Sequence, residues 1–164
     1  MKAVLISINP KYCELIANGK KTVEVRKSKP KLETPFKVYI YCTNNGGSLH
    51  KGYGGLYYHK SNVGKNDSSC INGKVIGEFV CSNIAKGNSQ LGSCISMQEI
   101  SEYANGKEVY GWCISDLVIY EKPKELSEFR SYNLSVYVDD NGYPMPTHEI
   151  KRPPRSWCYV ESEG

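Results

Sequence analysis

Three side chains able to do chemistry crowd into one short run, NGKKTVEVRKSKPK (18–31): Lys21, Glu24 and Arg26. Six of its fourteen residues are Lys or Arg, so the run attracts anions such as phosphate. A stripe that only binds phosphate has no use for a carboxylate in its middle. Beside cations, Glu24 can accept hydrogen bonds from a base edge. Cytosine offers an exocyclic amine to Glu or Asp, and one aligned pair discriminates by about 1–3 kcal/mol. Arg26 brings a planar fork suited to a phosphate or a base carbonyl, and Lys21 a compact charge for phosphate. The alternative is plainer: Glu24 and Arg26 form an ion pair that orders their own strand.

The elements around the run decide where these groups point. KAVLISI (2–8) is a β-branched apolar run and predicts a buried strand. NPKYCELIANG (9–19) predicts a short helix, with Asn9 as N-cap, Pro10 at the first position and Gly19 as the left-handed stop. Leu15 and Ile16 are its core residues. KTVEVRK (21–27) alternates, so Val23 and Val25 face one way and Thr22, Glu24 and Arg26 the other. Further strands are expected at 37–43, 74–84, 112–120 and 156–160, with Gly77 marking a bulge. SMQEISEYANG (96–106) predicts a second helix, Ser96 and Glu99 forming a capping box. The Asp-Asn-Gly in 135–146 signals a hairpin. Residues 44–73 hold seven Gly and five Asn and read as a long loop or ragged hairpin.

Composition bounds the partners. The 164 residues suit one domain, 1–164, with a real core. The net charge of +4 is uneven: residues 1–74 hold thirteen Lys/Arg against four Asp/Glu, and residues 75–164 hold eight against thirteen. A basic half favours a polyanionic partner. Seven cysteines at wide spacings, without CxxC, suggest reduced thiols and a cytoplasmic protein. The three His do not fall at zinc spacings with them, so no metal site is expected. No apolar run approaches membrane length, and no membrane partner is expected. No cofactor is implied, because GYGGL lacks the strand-to-helix setting of a phosphate loop.

The run INPKYCELIANGKKTVEVRK resembles the signature of the ASCH family, part of the PUA-like superfamily. The matching positions are Pro10, Tyr12, Ile16, Gly19, Lys21, Glu24 and Arg26. GKVIGEF, YGWCISDLVIY and PPRSWCYVE are also similar to strands of that family. The resemblance implies an α+β fold: a PUA-like small β-barrel of six or more mixed strands with two or three short helices, carrying loop insertions at 44–73 and 131–152. It implies RNA or a modified nucleoside as partner, held in a basic cleft over Lys21, Glu24 and Arg26; the chain itself is expected to be a monomer.

Flanking candidates follow from position. Tyr53, in the Tyr- and Gly-rich GYGGLYYHK (52–60), offers a ring for base stacking. In RPPRSWCYV, Trp157 reaches the groove with Arg155 if Cys158 and Val160 face the core; in the opposite register Trp157 is itself core. Ser7 and Asn9 add polar contacts. Some relatives resemble amidohydrolases that remove an acyl group from the exocyclic amine of cytidine, using a Lys, a Thr and a Glu. Lys21 and Arg26 match that pattern, but Glu24 stands at the expected Thr, leaving Thr22 in the neighbouring register. Glu99 and Glu102 are candidates for the separate acid. Metal-independent RNA cleavage would instead use Glu24 with Lys21 or Arg26, His59 and His148 being further acid–base candidates.

Overall fold

The computed structural model describes residues 1–86, 108–138 and 140–162; side chains at 133–138 and 144–146 lie outside that description. The run Lys2–Ile8 is strand β1, and its dense β-branched content buries it on both faces. Pro10–Ala17 forms helix α1, burying Pro10, Cys13 and Ile16. Asn9 stands at the N-cap, but its side chain makes no capping bond; Oδ1 accepts from Thr43 Oγ1 at 3.1 Å. Leu15 is only half-buried, and Cys13 takes the core position. Gly19 ends the helix at φ +78, the left-handed conformation foreseen for it.

The other strands are β2 (Val23–Arg26), β3 (Phe36–Cys42), β4 (Ser48–Gly52), β5 (Gly55–His59), β6 (Val75–Lys86), β7 (Tyr110–Lys124), β8 (Arg130–Val138), β9 (Pro144–Glu149) and β10 (Trp157–Glu161). Eight form one mixed sheet in the order β2-β7-β6-β3-β1-β10-β8-β9. Among the described residues only β1 and β3 pair in parallel; the remaining ladders are antiparallel. The ragged segment 44–73 contains the β4–β5 hairpin, which contacts α1. The hairpin expected at 135–146 is the β8–β9 pair. The strand expected at 156–160 is β10, which sits between β1 and β8.

Two expectations are corrected. The sheet is not closed into a barrel, since no ladder joins β2 to β9 among the described residues. Curling is nonetheless strong enough that Trp112 of β7 and Trp157 of β10 meet at 5.9 Å, though β6, β3 and β1 separate their strands. Side chains thus span an opening that no backbone ladder bridges. The described residues hold one α-helix and one 3₁₀ turn, Leu126–Glu128, where two or three helices were expected. The helix expected at 96–106, with Glu99 and Glu102, lies outside the described residues.

Alternation on the sheet builds two cores. Val4, Ile6 and Ile8 join Cys13, Ile16, Val38, Ile40, Phe79 and Trp112 on one face. Ala3 and Leu5 join Tyr39, Tyr41, Phe129 and Val160 on the other. Gly77 bends β6 at a shift in register, and a Cβ there would lie 2.4 Å from Val118 O. No described helix is long and apolar enough to cross a membrane.

Candidate functional site

β2 places Glu24 and Arg26 on one face, as its alternation predicts, but the surroundings are closed. All four residues of β2 are buried. Lys21 is 2% exposed, Glu24 6% and Arg26 8%. The chain leaves α1 through Gly19 and turns so that Lys21 N donates to Leu15 O at 2.9 Å. That turn delivers the Lys21 side chain under the helix, beside the Tyr12 ring at 5.4 Å.

Glu24 stands between the two cations. Arg26 Nε donates to Glu24 Oε1 at 3.0 Å. Lys21 Nζ lies 3.3 Å from Glu24 Oε2, yet it directs its hydrogen bond to Val23 O at 2.7 Å. Glu24 Oε2 is therefore buried without a hydrogen bond. Arg26 is tied further: Nη2 donates to Ser7 O at 2.6 Å and Nη1 to Ser156 Oγ at 3.2 Å. So Ser7 does join this group, through its carbonyl, while its hydroxyl donates to Pro154 O at 2.6 Å. The ion pair anticipated between Glu24 and Arg26 exists, and Lys21 extends it to a triad.

Sequence reasoning missed Trp112. In the β2–β7 ladder it lies directly opposite Glu24 and shares its face. It is fully buried, and its Nε1 has no hydrogen-bond partner. One face thus carries a buried orphan acceptor and a buried orphan donor at paired positions. Only the β2–β7 register creates that pairing, and no spacing within 110–120 announces it.

The flanking candidates are dispersed. Trp157 is half-buried between Trp112 and Tyr159, and its Nε1 donates to Ser28 Oγ at 3.0 Å. Cys158 and Val160 pack into the second core, so both faces of β10 are lined. Arg155 is exposed in the segment before β10. Tyr53 is exposed at the β4–β5 turn, where its carbonyl accepts from Tyr57 Oη. Thr22 is exposed, outside the buried triad. His59 stacks edge-on with His50 at 5.4 Å on the hairpin, and His148 lies on β9. Among the described residues no three His, Cys, Asp or Glu side chains gather as metal ligands.

The thiols near these elements are quiet. Burial, with Cys42 alongside, raises the Cys13 thiol well above its ordinary value. Burial pushes Cys81 up to about 12, with Cys113 adding to the effect, and Cys158 up to about 11.

The sequence model of the ASCH domain matches residues 6–135, most of the chain and all of the triad. The chain belongs to the ASCH domain family. Three crystal structures of the ASCH protein from Zymomonas mobilis are similar to this ASCH chain in fold. The unaltered protein is 18% identical at a TM-score of 0.53, covering 97% of this chain and 87% of that one. One single-residue variant is 17% identical at 0.55, covering 98% and 91%. A second is 18% identical at 0.53, covering 97% and 88%. No curated protein matches the chain.

Proposed function

We propose that this ASCH chain binds RNA or a nucleoside, with Glu24 reading the base. The observation that carries this reading is Glu24 Oε2, which is ion-paired to Lys21 at 3.3 Å but buried without accepting a hydrogen bond. An unsatisfied buried acceptor costs stability, about 1–3 kcal/mol and more when charged. Such a group calls for an explanation, and a partner arriving from outside the chain supplies one. The partner must bring an N–H or O–H donor. Trp112 Nε1, orphaned across the ladder, asks for an acceptor beside that donor. A cytosine-like edge carries both, an exocyclic amine next to a ring nitrogen.

Lys21 lies beside the carboxylate at 3.3 Å, and Arg26 fixes its orientation. Arg26 is thus a positioning residue as much as an anchor, since three of its five N–H groups already serve Glu24, Ser7 and Ser156. Neither orphan atom touches solvent. A ligand reaches them only when a covering side chain moves, and the half-buried Tyr12 ring over Lys21 is one such group.

The test is a titration of short single-stranded RNAs differing in one base, with Glu24→Gln beside the wild type. Gln keeps the shape but replaces a charged acceptor with an amide. The wild type is expected to prefer cytosine, and the variant to lose about 1–3 kcal/mol of that preference while keeping salt-sensitive affinity. An unchanged preference would remove Glu24 from the reading role. Incubation with acylated cytidine in parallel tests the hydrolase alternative. Acid release abolished by Lys21→Ala would make the same site catalytic and base binding its substrate recognition.

A further inference from the structure

Residues 151–156, KRPPRS, form a strap between β9 and β10. Two prolines restrict its backbone. The strap is tied to the triad at one end, where Arg26 Nη1 donates to Ser156 Oγ and Ser7 Oγ donates to Pro154 O. A third tie runs from Ser7 N to Ser156 O at 2.9 Å. Lys151, Arg152 and Arg155 are all exposed on it, and none forms an ion pair with any described residue. Three unpaired cations within five residues of a stiff, tethered segment form a preorganised anion surface.

Behind the strap lies a cavity of about 560 Å³, lined by Ser131, His148, Lys151, Arg152, Pro154 and Cys158. Glu149, exposed at its rim, is the only carboxylate lining it among the described residues. The cavity opens on the Cys158 face of β10, whereas Trp157 and the triad belong to the other face. The strap is the rim between the two.

We propose that this cavity holds a phosphate of a single-stranded nucleic acid whose base lies at Glu24, so that the ligand is a polymer and not a free nucleoside. The inference rests on the base-reading function for the polymer's register, while the anion site stands on its own residues. A nucleoside at Glu24 carries no phosphate and gains nothing from the strap. A polymer crosses the rim and meets Arg152, whose fork suits two phosphate oxygens, and Lys151 as a point charge. His148 adds a ring nitrogen to the lining, while the Ser131 hydroxyl already donates to Tyr159 O at 3.3 Å. The thiol beside them opposes nothing: a thiol is neutral near pH 7, and burial moves Cys158 further up.

The experiment is an NMR titration of the whole chain with inorganic phosphate, cytidine and a short oligocytidylate, comparing wild type with K151Q/R152Q. Both substituted residues are exposed, so the fold is unaffected. Inorganic phosphate is expected to shift the Ser131, His148 and Cys158 resonances in the wild type and not in the variant. The variant should bind the oligonucleotide at least about tenfold more weakly at low salt. Its slope of log affinity against log salt should be shallower by about 1.4, for two lost contacts on a single strand. Its cytidine affinity should not change. Phosphate that moves none of those resonances overturns the site. Phosphate shifts with an unchanged oligonucleotide slope would make it a site for free phosphate, overturning the nucleic-acid assignment. Failure of cytidine to bind, with the oligonucleotide still strap-dependent, would remove the base-reading function and leave the phosphate site standing.

Discussion

Glu24 balances two cations that are both withdrawn from water, and its loss strands them. Removing one partner of a buried ionic group typically costs about 3–5 kcal/mol, because the remaining charge is left uncompensated. Glu24→Ala is therefore expected to destabilise the chain by that order in urea denaturation, and Glu24→Gln by less, since an oxygen still faces Arg26. A loss below about 1 kcal/mol for Glu24→Ala would mean that water reaches the triad. The buried thiols give a pH dependence. Cys81 and Cys158 hold their protons to about 12 and about 11 in the fold, above the ordinary value of 9.0. The native state therefore binds more protons than the unfolded state across that window. Stability is full below pH 9 and falls as pH rises toward 11–12. Urea midpoints at pH 8 and pH 10.5 test this, and Cys158→Ala should flatten part of the fall. At this scale the sequence was informative about which residues matter. Lys21, Glu24 and Arg26 were legible from type and spacing, and their ion pair was a stated alternative. Burial was not legible, because it depends on what lies across the sheet.

The elements convert that spacing into a site. β1, α1 and β2 follow one another so tightly that Gly19, at φ +78, must reverse the chain within a few residues to bring Lys21 under α1. β6 and β7 then supply the far wall, and Gly77 permits their close approach. A methyl group at Gly77 meets Val118 O at 2.4 Å, a backbone atom that cannot swing aside. Gly77→Ala should cost about 1–3 kcal/mol by overpacking, read as a lower urea midpoint. The strap is held by fewer ties. Ser156→Ala removes one hydrogen bond from the Arg26 guanidinium, worth about 1.5–3 kcal/mol. If the strap presents phosphate contacts, the same variant should also weaken oligonucleotide binding. The strands were legible because β-branched runs and alternation are local signals. Asn9 was placed correctly at the helix start, but its side chain serves Thr43 instead of the cap, since a loop 34 residues later competes for it.

Across the whole molecule the sheet stays open yet curls. Phe36, Trp112, Trp157 and Tyr159 form a continuous edge-on aromatic row across the opening, with ring centroids 5.3–6.0 Å apart. Contacts of this kind replace a closing ladder. Trp112 is their centre, and Trp112→Ala should cost about 3–5 kcal/mol and expose the triad, detected as faster amide exchange in β2. The charge asymmetry belongs to this scale as well. Residues 1–74 carry thirteen Lys/Arg against four Asp/Glu, and 75–164 the reverse bias. Yet the strap's cations come from the acidic half and join the basic one only through Ser7 and Arg26.

What the sequence determined by itself was local: the helix with its Gly19 stop, the strands along the chain, the bulge at Gly77, and a Lys-Glu-Arg set in one register. These follow from propensity, periodicity and turn chemistry, which act over a few residues. Tertiary structure decided the rest. It decided that the sheet stays open, that Glu24 is sealed between its cations, that Trp112 stands opposite it, and that a strap from residues 151–156 locks Arg26. Each of these depends on which distant strand lies alongside, a choice made by packing the entire core.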